Sequence, residues 1–112
     1  MKKIKNYIKK HGLNLEQMGV KNFALNIKDS LEFLDKLESN NIIIYGGDVI
    51  RKKDNHLEYT YENWSYDGNN SIESIEIAKK FIQNLKFEKN SNIYIEFVTD
   101  IDLFSDDHTD GH

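Results

Sequence analysis

A run of β-branched and aromatic residues in the middle of this 112-residue chain constrains its fold more than any other feature. Residues 42–45, Ile-Ile-Ile-Tyr, are typical of a buried strand. Gly46-Gly47-Asp48 interrupts this strand, and residues 49–52 resume it. Glycines inside a strand cost backbone entropy and side-chain packing. The pair therefore predicts a bulge, or a place where another group must approach the backbone closely.

The residues that follow predict a β-hairpin. Lys53-Asp54-Asn55 supplies the turn, because Asp and Asn both tolerate a left-handed backbone. Residues 56–61 then alternate between the two faces as the returning strand, and Asn63-Trp64 lies at its far end. Trp64, the only tryptophan, is expected to lie over the gap left by the two glycines. Asp48 is then expected to accept hydrogen bonds from backbone amides or from the Trp64 indole.

Two segments before the hairpin have apolar residues at helical spacing. Residues 2–11 predict a short helix that ends before Gly12, at the position of a C-terminal glycine cap. Residues 28–39 predict a second helix, which either Asn26 or Asp29 caps at its start.

After the hairpin, the chain predicts one more helix and one more strand. Either Asn70 or Ser71 caps the helix. Its apolar face comprises Ile72, Ile75, Ala78, Ile82 and Leu85. Residues 93–98 alternate as a strand, and Leu103-Phe104 beyond it is suited to docking on the core. Residues 13–25 lack a clear period and predict a short helical turn followed by irregular chain.

This order of elements predicts one α+β domain over residues 1–112. The simplest arrangement is a small antiparallel sheet, formed by the hairpin and the C-terminal strand, with two or three helices packed on one face. A basic helix at residues 1–12 and an acidic tail at residues 100–112 flank the central part of the chain.

Composition excludes several kinds of chemistry. The chain has no cysteine, so disulfides, thiolate nucleophiles, thiolate zinc sites and iron–sulfur clusters are absent. The formal net charge is −4, and residues 1–10 carry five lysines and no acid, so the rest of the chain is more acidic than the total suggests. An acidic body disfavours phosphate binding and suits a basic partner. Neither a signal-peptide core nor an apolar stretch long enough to span a membrane is present, and a cytoplasmic protein without membrane contact is expected.

Candidate metal ligands crowd into the last seven residues, namely Asp106, Asp107, His108, Asp110 and His112. Their spacing is similar to part of a calcium loop, but the bidentate Glu of such a loop is missing. A solvated tail is the favoured interpretation. We therefore expect no metal and no cofactor.

Two further hypotheses come from other functional classes. A small hydrolase would use Asp48 with Glu58 or Glu62, since paired carboxylates support acid–base chemistry. A nucleic-acid-associated regulator would use the aromatic-bearing basic start of the chain, at Lys2, Lys3, Lys5, Tyr7, Lys9 and Lys10. The acidic remainder would repel phosphates, so nucleic acid is not the expected partner.

Residues 43–49, Ile-Ile-Tyr-Gly-Gly-Asp-Val, and residues 57–64, Leu-Glu-Tyr-Thr-Tyr-Glu-Asn-Trp, resemble the bacterial immunity protein 40 family. The resemblance covers about residues 20–98. Its signature falls on Gly46, Gly47, Asp48, Asn63 and Trp64. It implies an immunity protein of a polymorphic toxin system, which binds and neutralises a cognate protein toxin without catalysis. These five positions are either the structural signature of the fold or part of its binding site.

The resemblance and the acidic body together predict a toxin-binding patch on the hairpin and the loop after it. Aromatic residues make good interface anchors, and acidic residues steer a basic partner such as a nuclease. The predicted patch comprises Glu58, Tyr59, Tyr61, Glu62, Tyr66 and Asp67. A monomer is expected, or a weak homodimer through an exposed sheet edge.

Overall fold

The computed structural model describes residues 2–86 and 92–105. Three α-helices and five strands are formed in this part of the chain. In chain order they are α1 (Lys2–His11), β1 (Leu13–Asn14), a 3₁₀ turn (Glu16–Met18), β2 (Phe23–Asn26), α2 (Ile27–Glu38), β3 (Ile44–Lys53), β4 (His56–Ser65), α3 (Ser71–Gln83) and β5 (Ile93–Thr99).

The five strands form one sheet in the order β1-β2-β5-β3-β4, and all neighbours are antiparallel. This confirms the predicted α+β class. The sheet is larger than the hairpin plus one strand, because β2 adds to the free edge of β5 and β1 adds to β2. The expected irregular chain before α2 is therefore wrong at residues 23–25, which belong to β2. Phe23, Ala24 and Leu25 are all buried, so the strand has no alternating pattern to reveal it.

The helices confirm most of the predicted boundaries. Asn26 caps α2 by accepting a hydrogen bond from the Asp29 amide at 2.7 Å, and Asn70 caps α3. Gly12 differs from the expected left-handed cap: a Cβ at this residue would overlap the Ile8 carbonyl oxygen and lie 2.8 Å from Cβ of Phe23, so close approach of the end of α1 and of β2 explains the glycine. Ile72 also differs, since it is 58% exposed in the first turn of α3, where the core does not reach.

The two faces of the sheet are covered differently. All three helices pack on one face, which we call the helix face, around Phe33, Val49, Ile95 and Phe97. The opposite face carries a smaller cluster that is covered by the segment from residue 13 to residue 20. Its buried members are Leu15, Ala24, Ile50 and Leu57. The rest of this opposite face is left without a covering helix.

The predicted interruption of the first hairpin strand is wrong, because β3 runs continuously from Ile44 to Lys53 through both glycines. The glycines instead coincide with a shift in the pairing register against β5, between Ile44 and Gly46, where Gly46 has a φ of 155°. The predicted turn is confirmed, with Asp54 in the left-handed conformation at a φ of 56°. Leu103 is buried and Phe104 packs on Phe23, as expected for a docked segment.

Candidate functional site

The family-like glycine and tryptophan positions meet on the helix face. Gly47 lies opposite Trp64 on β4 and opposite Phe97 on β5. A Cβ on Gly47 would overlap the six-membered ring of Trp64 and would lie 2.6 Å from the Glu96 carbonyl oxygen. The indole also packs against Phe81 of α3, with ring centroids 4.6 Å apart. Trp64 therefore lies over the glycine gap, as predicted, and it ties the hairpin to α3.

The expected hydrogen bond from the Trp64 indole to Asp48 does not form. Successive residues of a strand point to opposite faces, so Asp48 faces away from the tryptophan that packs on Gly47. The indole Nε1 is buried and has no hydrogen-bond partner among the residues that the structure describes. No donor in residues 2–86 and 92–105 reaches the Asp48 carboxylate either. The expected hydrogen bond from a backbone amide to Asp48 therefore does not form.

Asp48 instead lies beside a carboxylate from β5. Asp48 and Glu96 are directly opposite each other in the antiparallel pair of β3 and β5, and we call them the carboxyl pair. Glu96 is only 6% exposed. Its Oε2 accepts a hydrogen bond from Nδ2 of Asn22 at 3.1 Å, and its Oε1 accepts one from the Tyr59 hydroxyl at 3.3 Å. Three strands and the loop before β2 thus converge on this point of the face opposite the helices.

The pKa values of Asp48, Tyr59 and Glu96 are all raised above their ordinary values. Burial raises the pKa of Glu96; the Asn22 hydrogen bond opposes this rise, and the Asp48 charge adds to it. Burial also raises the pKa of Asp48. The pKa of Tyr59 rises to about 12, first through burial and then through the Glu96 charge. Neither carboxylate has an ion-pair partner in the described part of the chain.

Glu96 is the site residue that sequence reasoning did not select. The hydrolase hypothesis paired Asp48 with Glu58 or Glu62, whereas the fold pairs Asp48 with Glu96. Glu58 lies opposite Arg51, 3.6 Å from its guanidinium, on the other face of the sheet. A single acid within the apolar run of residues 93–98 was the available signal, but that run alone does not show which strand lies beside it.

A bulge in β4 lies next to the carboxyl pair. Asp48 pairs with Asn63 and Ile50 pairs with Tyr59, so three residues of β4 lie opposite Val49 alone. The middle residue of the three is Tyr61, which has a φ of 72° and is 91% exposed.

The six residues of the predicted toxin-binding patch occupy four places. Tyr59 touches the carboxyl pair, Tyr61 and Glu62 lie in the bulge, and Glu58 lies on the helix face beside Arg51. Tyr66 and Asp67 lie in the loop before α3. There the Tyr66 hydroxyl donates to Glu73 at 2.8 Å and accepts from the Asn70 amide at 3.1 Å. Tyr66 thus organises the start of α3, and its role in binding stays a prediction.

The basic start of the chain forms α1, which is anchored through buried Ile4 and Ile8. A groove of about 480 Å³ lies between α1 and α2, and Lys3, Lys10 and Lys36 are among its lining residues. The nucleic-acid hypothesis stays a prediction. The candidate metal ligands of the tail, residues 106–112, lie outside the described residues. Within the described ranges, no group of three or more acidic or histidine side chains is placed to hold a metal ion.

Comparison with known proteins identifies one family. The sequence model of the family described as immunity protein 40 matches residues 14–99. The match contains all five family-like positions, and it begins at the segment that covers the second face of the sheet. No curated protein and no solved structure matches the chain significantly. None of the helices in the described ranges has the length and apolar character that a membrane span requires.

Proposed function

Because the chain belongs to the immunity protein 40 family, a family of immunity proteins of toxin systems, we propose that it binds a cognate protein toxin and neutralises it by occlusion. The proposal includes a polymorphic toxin encoded by the same cell and protection in the cytoplasm. The immunity protein works without catalysis or cofactor, because occlusion needs only a stable complex.

The uncompensated carboxyl pair is the observation that supports binding through the uncovered part of the sheet. Like charges directly opposite each other across two strands are destabilising. Asp48 and Glu96 hold this arrangement without a cation from the described residues. A lysine or arginine of a partner would supply the missing charge, and charge-assisted hydrogen bonds to a carboxylate are stronger than neutral ones.

The surroundings of the carboxyl pair suit a protein interface. Tyr59 is 37% exposed and Val98 is 46% exposed, and Asn63 is also exposed beside Asp48. Tyrosines with partly exposed rings contribute both apolar area and a hydroxyl to an interface. The predicted contacts at Tyr59, Tyr61 and Glu62 border the same region, whereas Glu58, Tyr66 and Asp67 would extend the interface around the hairpin.

Co-expression tests the proposal. The candidate toxin domain encoded beside this chain is induced with and without the immunity protein, and viability and complex formation are measured. We expect rescue together with a stable complex. Asp48→Lys is expected to weaken both, because it places a cation where the toxin would bring its own. Glu76→Lys is the matched control, since Glu76 is exposed on α3. A wild-type protein that neither binds nor rescues would contradict the proposal.

Hydrolysis of the bound toxin by the carboxyl pair is a second candidate function, and the raised pKa of both groups favours it. The two functions differ in how protection relates to affinity. For occlusion, Asp48→Asn changes rescue and toxin affinity in parallel. For hydrolysis, the same variant keeps the affinity and loses rescue, because the carboxylate would be needed for turnover only.

A further inference from the structure

The bulge of β4 displays Tyr61 in a conformation that tyrosine rarely adopts. Its φ of 72° lies in the left-handed region, which a bulky residue enters only at a cost in conformational free energy. Glycine would avoid this cost and asparagine would reduce it. The fold itself therefore does not favour tyrosine at this position.

The Tyr61 side chain makes no contact within the described residues that would offset this conformational cost. It is 91% exposed, and its ring and hydroxyl make no aromatic contact or hydrogen bond with the residues that the structure describes. Its backbone, in contrast, is firmly held. Nδ2 of Asn63 donates to the Tyr61 carbonyl at 3.1 Å, and the Thr60 hydroxyl donates to the Val49 carbonyl at 3.0 Å. The Glu62 amide donates back to the Thr60 hydroxyl at 3.3 Å.

A rigid backbone with an exposed aromatic side chain suits an interface anchor. Less conformational entropy is lost on binding when the backbone that carries the anchor is already ordered. Tyrosine is among the residues that most often dominate binding energy. Acidic residues adjoin the bulge: Glu62 follows Tyr61 in the chain, and Asp48 pairs with Asn63 at the end of the bulge.

We propose that Tyr61 anchors the toxin complex by inserting into an apolar socket rimmed by lysine or arginine side chains on the toxin. This inference rests on the proposed function and adds the chemistry of the partner surface. The socket takes the phenyl ring, and its basic rim faces Glu62 and the carboxyl pair. The competing explanation is that the bulge only prevents another strand from pairing with β4, which is an edge strand of the described sheet.

Two substitutions separate these explanations. Tyr61→Gly and Tyr61→Asn both remove the ring and both tolerate the left-handed backbone. We expect thermal stability to be unchanged or raised in each variant, while the Kd for the toxin rises by about 30-fold or more, as for an interface hot spot. Tyr45→Ala is the matched control, because Tyr45 is an exposed aromatic residue outside the bulge, and its Kd is expected to change by less than about twofold.

Binding of the wild-type protein is measured in the same titrations, so failure of the proposed function is seen separately as absence of any complex. If the wild type binds and both Tyr61 variants bind equally well, the bulge serves only to protect the edge and the inference is overturned. It is also overturned if only Tyr61→Gly weakens binding, because both variants lack the ring. An equal loss in Tyr45→Ala would overturn it too, since the effect would not be specific to the bulge.

Discussion

Asp48 and Glu96 lie directly opposite each other on β3 and β5, and no cationic side chain within the described ranges pairs with either carboxylate. The arrangement is costly in the free protein, because burial and like charge both oppose ionisation. A cationic partner would relieve this cost. The pair therefore links the stability of the free protein to the chemistry of its proposed complex.

Asp48→Asn is expected to stabilise the free protein at neutral pH by about 0.5 kcal/mol, because it removes one of two facing charges. Urea unfolding of the variant and of the wild type measures the difference. Glu76→Gln, an exposed site on α3, is the control. A variant that is less stable than the wild type at neutral pH would show that the Asp48 charge is compensated in solution.

The carboxyl pair also gives the wild type a defined pH dependence. Both groups have a raised pKa in the folded state, so the folded protein binds protons more tightly than the unfolded chain. This contribution to stability is complete below the ordinary carboxyl pKa of about 4 and is lost as pH rises through the folded values. Unfolding of the wild type and of the double variant Asp48→Asn with Glu96→Gln is compared at several pH values. The wild-type minus variant difference is expected to fall with rising pH, and a rise would contradict the pKa directions.

Tyr59 should ionise late in an alkaline titration. Burial and the neighbouring Glu96 charge raise its pKa to about 12. The difference between the ultraviolet titrations of the wild type and Tyr59→Phe isolates this phenol. Glu96→Gln is expected to shift the isolated transition to lower pH, because it removes the neighbouring charge. An unshifted transition would mean that the Glu96 charge does not act on Tyr59.

Gly47→Ala is expected to destabilise the protein by about 1–3 kcal/mol, as overpacking does in a filled core. The added methyl group would overlap the Trp64 ring and crowd the Glu96 carbonyl oxygen at 2.6 Å. Urea unfolding of Gly47→Ala, Trp64→Leu and the double variant tests the contact. The double variant should be more stable than the two single losses predict, since the smaller side chain makes room. Simple additivity would argue against direct contact.

Charge reversal tests the predicted toxin-binding patch. The triple variant Glu58→Lys, Glu62→Lys and Asp67→Lys is expected to weaken toxin binding by about tenfold or more, mainly through a slower association rate. Surface plasmon resonance at two salt concentrations measures this rate. The double variant Glu32→Lys with Glu76→Lys, which reverses exposed charges on α2 and α3, is the control. Equal association rates for the triple variant and the wild type would remove these residues from the interface.

Local patterns predict much of this fold because the forces behind them act over a few residues. The alternation in residues 56–59 and the turn at Asp54 define the hairpin, whereas the bulge at residues 60–62 breaks the alternation that was predicted to continue to residue 61. Asn26 and Asn70 mark helix starts because a capping side chain bonds the amide three residues later. The position of Trp64 over Gly47 also follows from the sequence, since a missing side chain on one strand leaves space for a large one on its partner.

Other features fail to show in the sequence because they depend on contacts between distant segments. Phe23–Asn26 becomes a strand only because β5 offers it a free edge. Ile72 has the spacing of a core residue, yet the first turn of α3 extends past the core and leaves it exposed. The left-handed backbone of Tyr61 results from the register between two strands.

The sequence by itself determined the hairpin, the three helices, the α+β class and the family, since each depends on short-range patterns or on a contiguous motif. Only the tertiary structure decided which carboxylates meet. The order of strands in the sheet places β5 beside β3, and the register then brings Glu96 opposite Asp48. In that register Val49, Ile95 and Phe97 are buried against the helices on the helix face, and such burial depends on contacts between distant segments that no local pattern encodes.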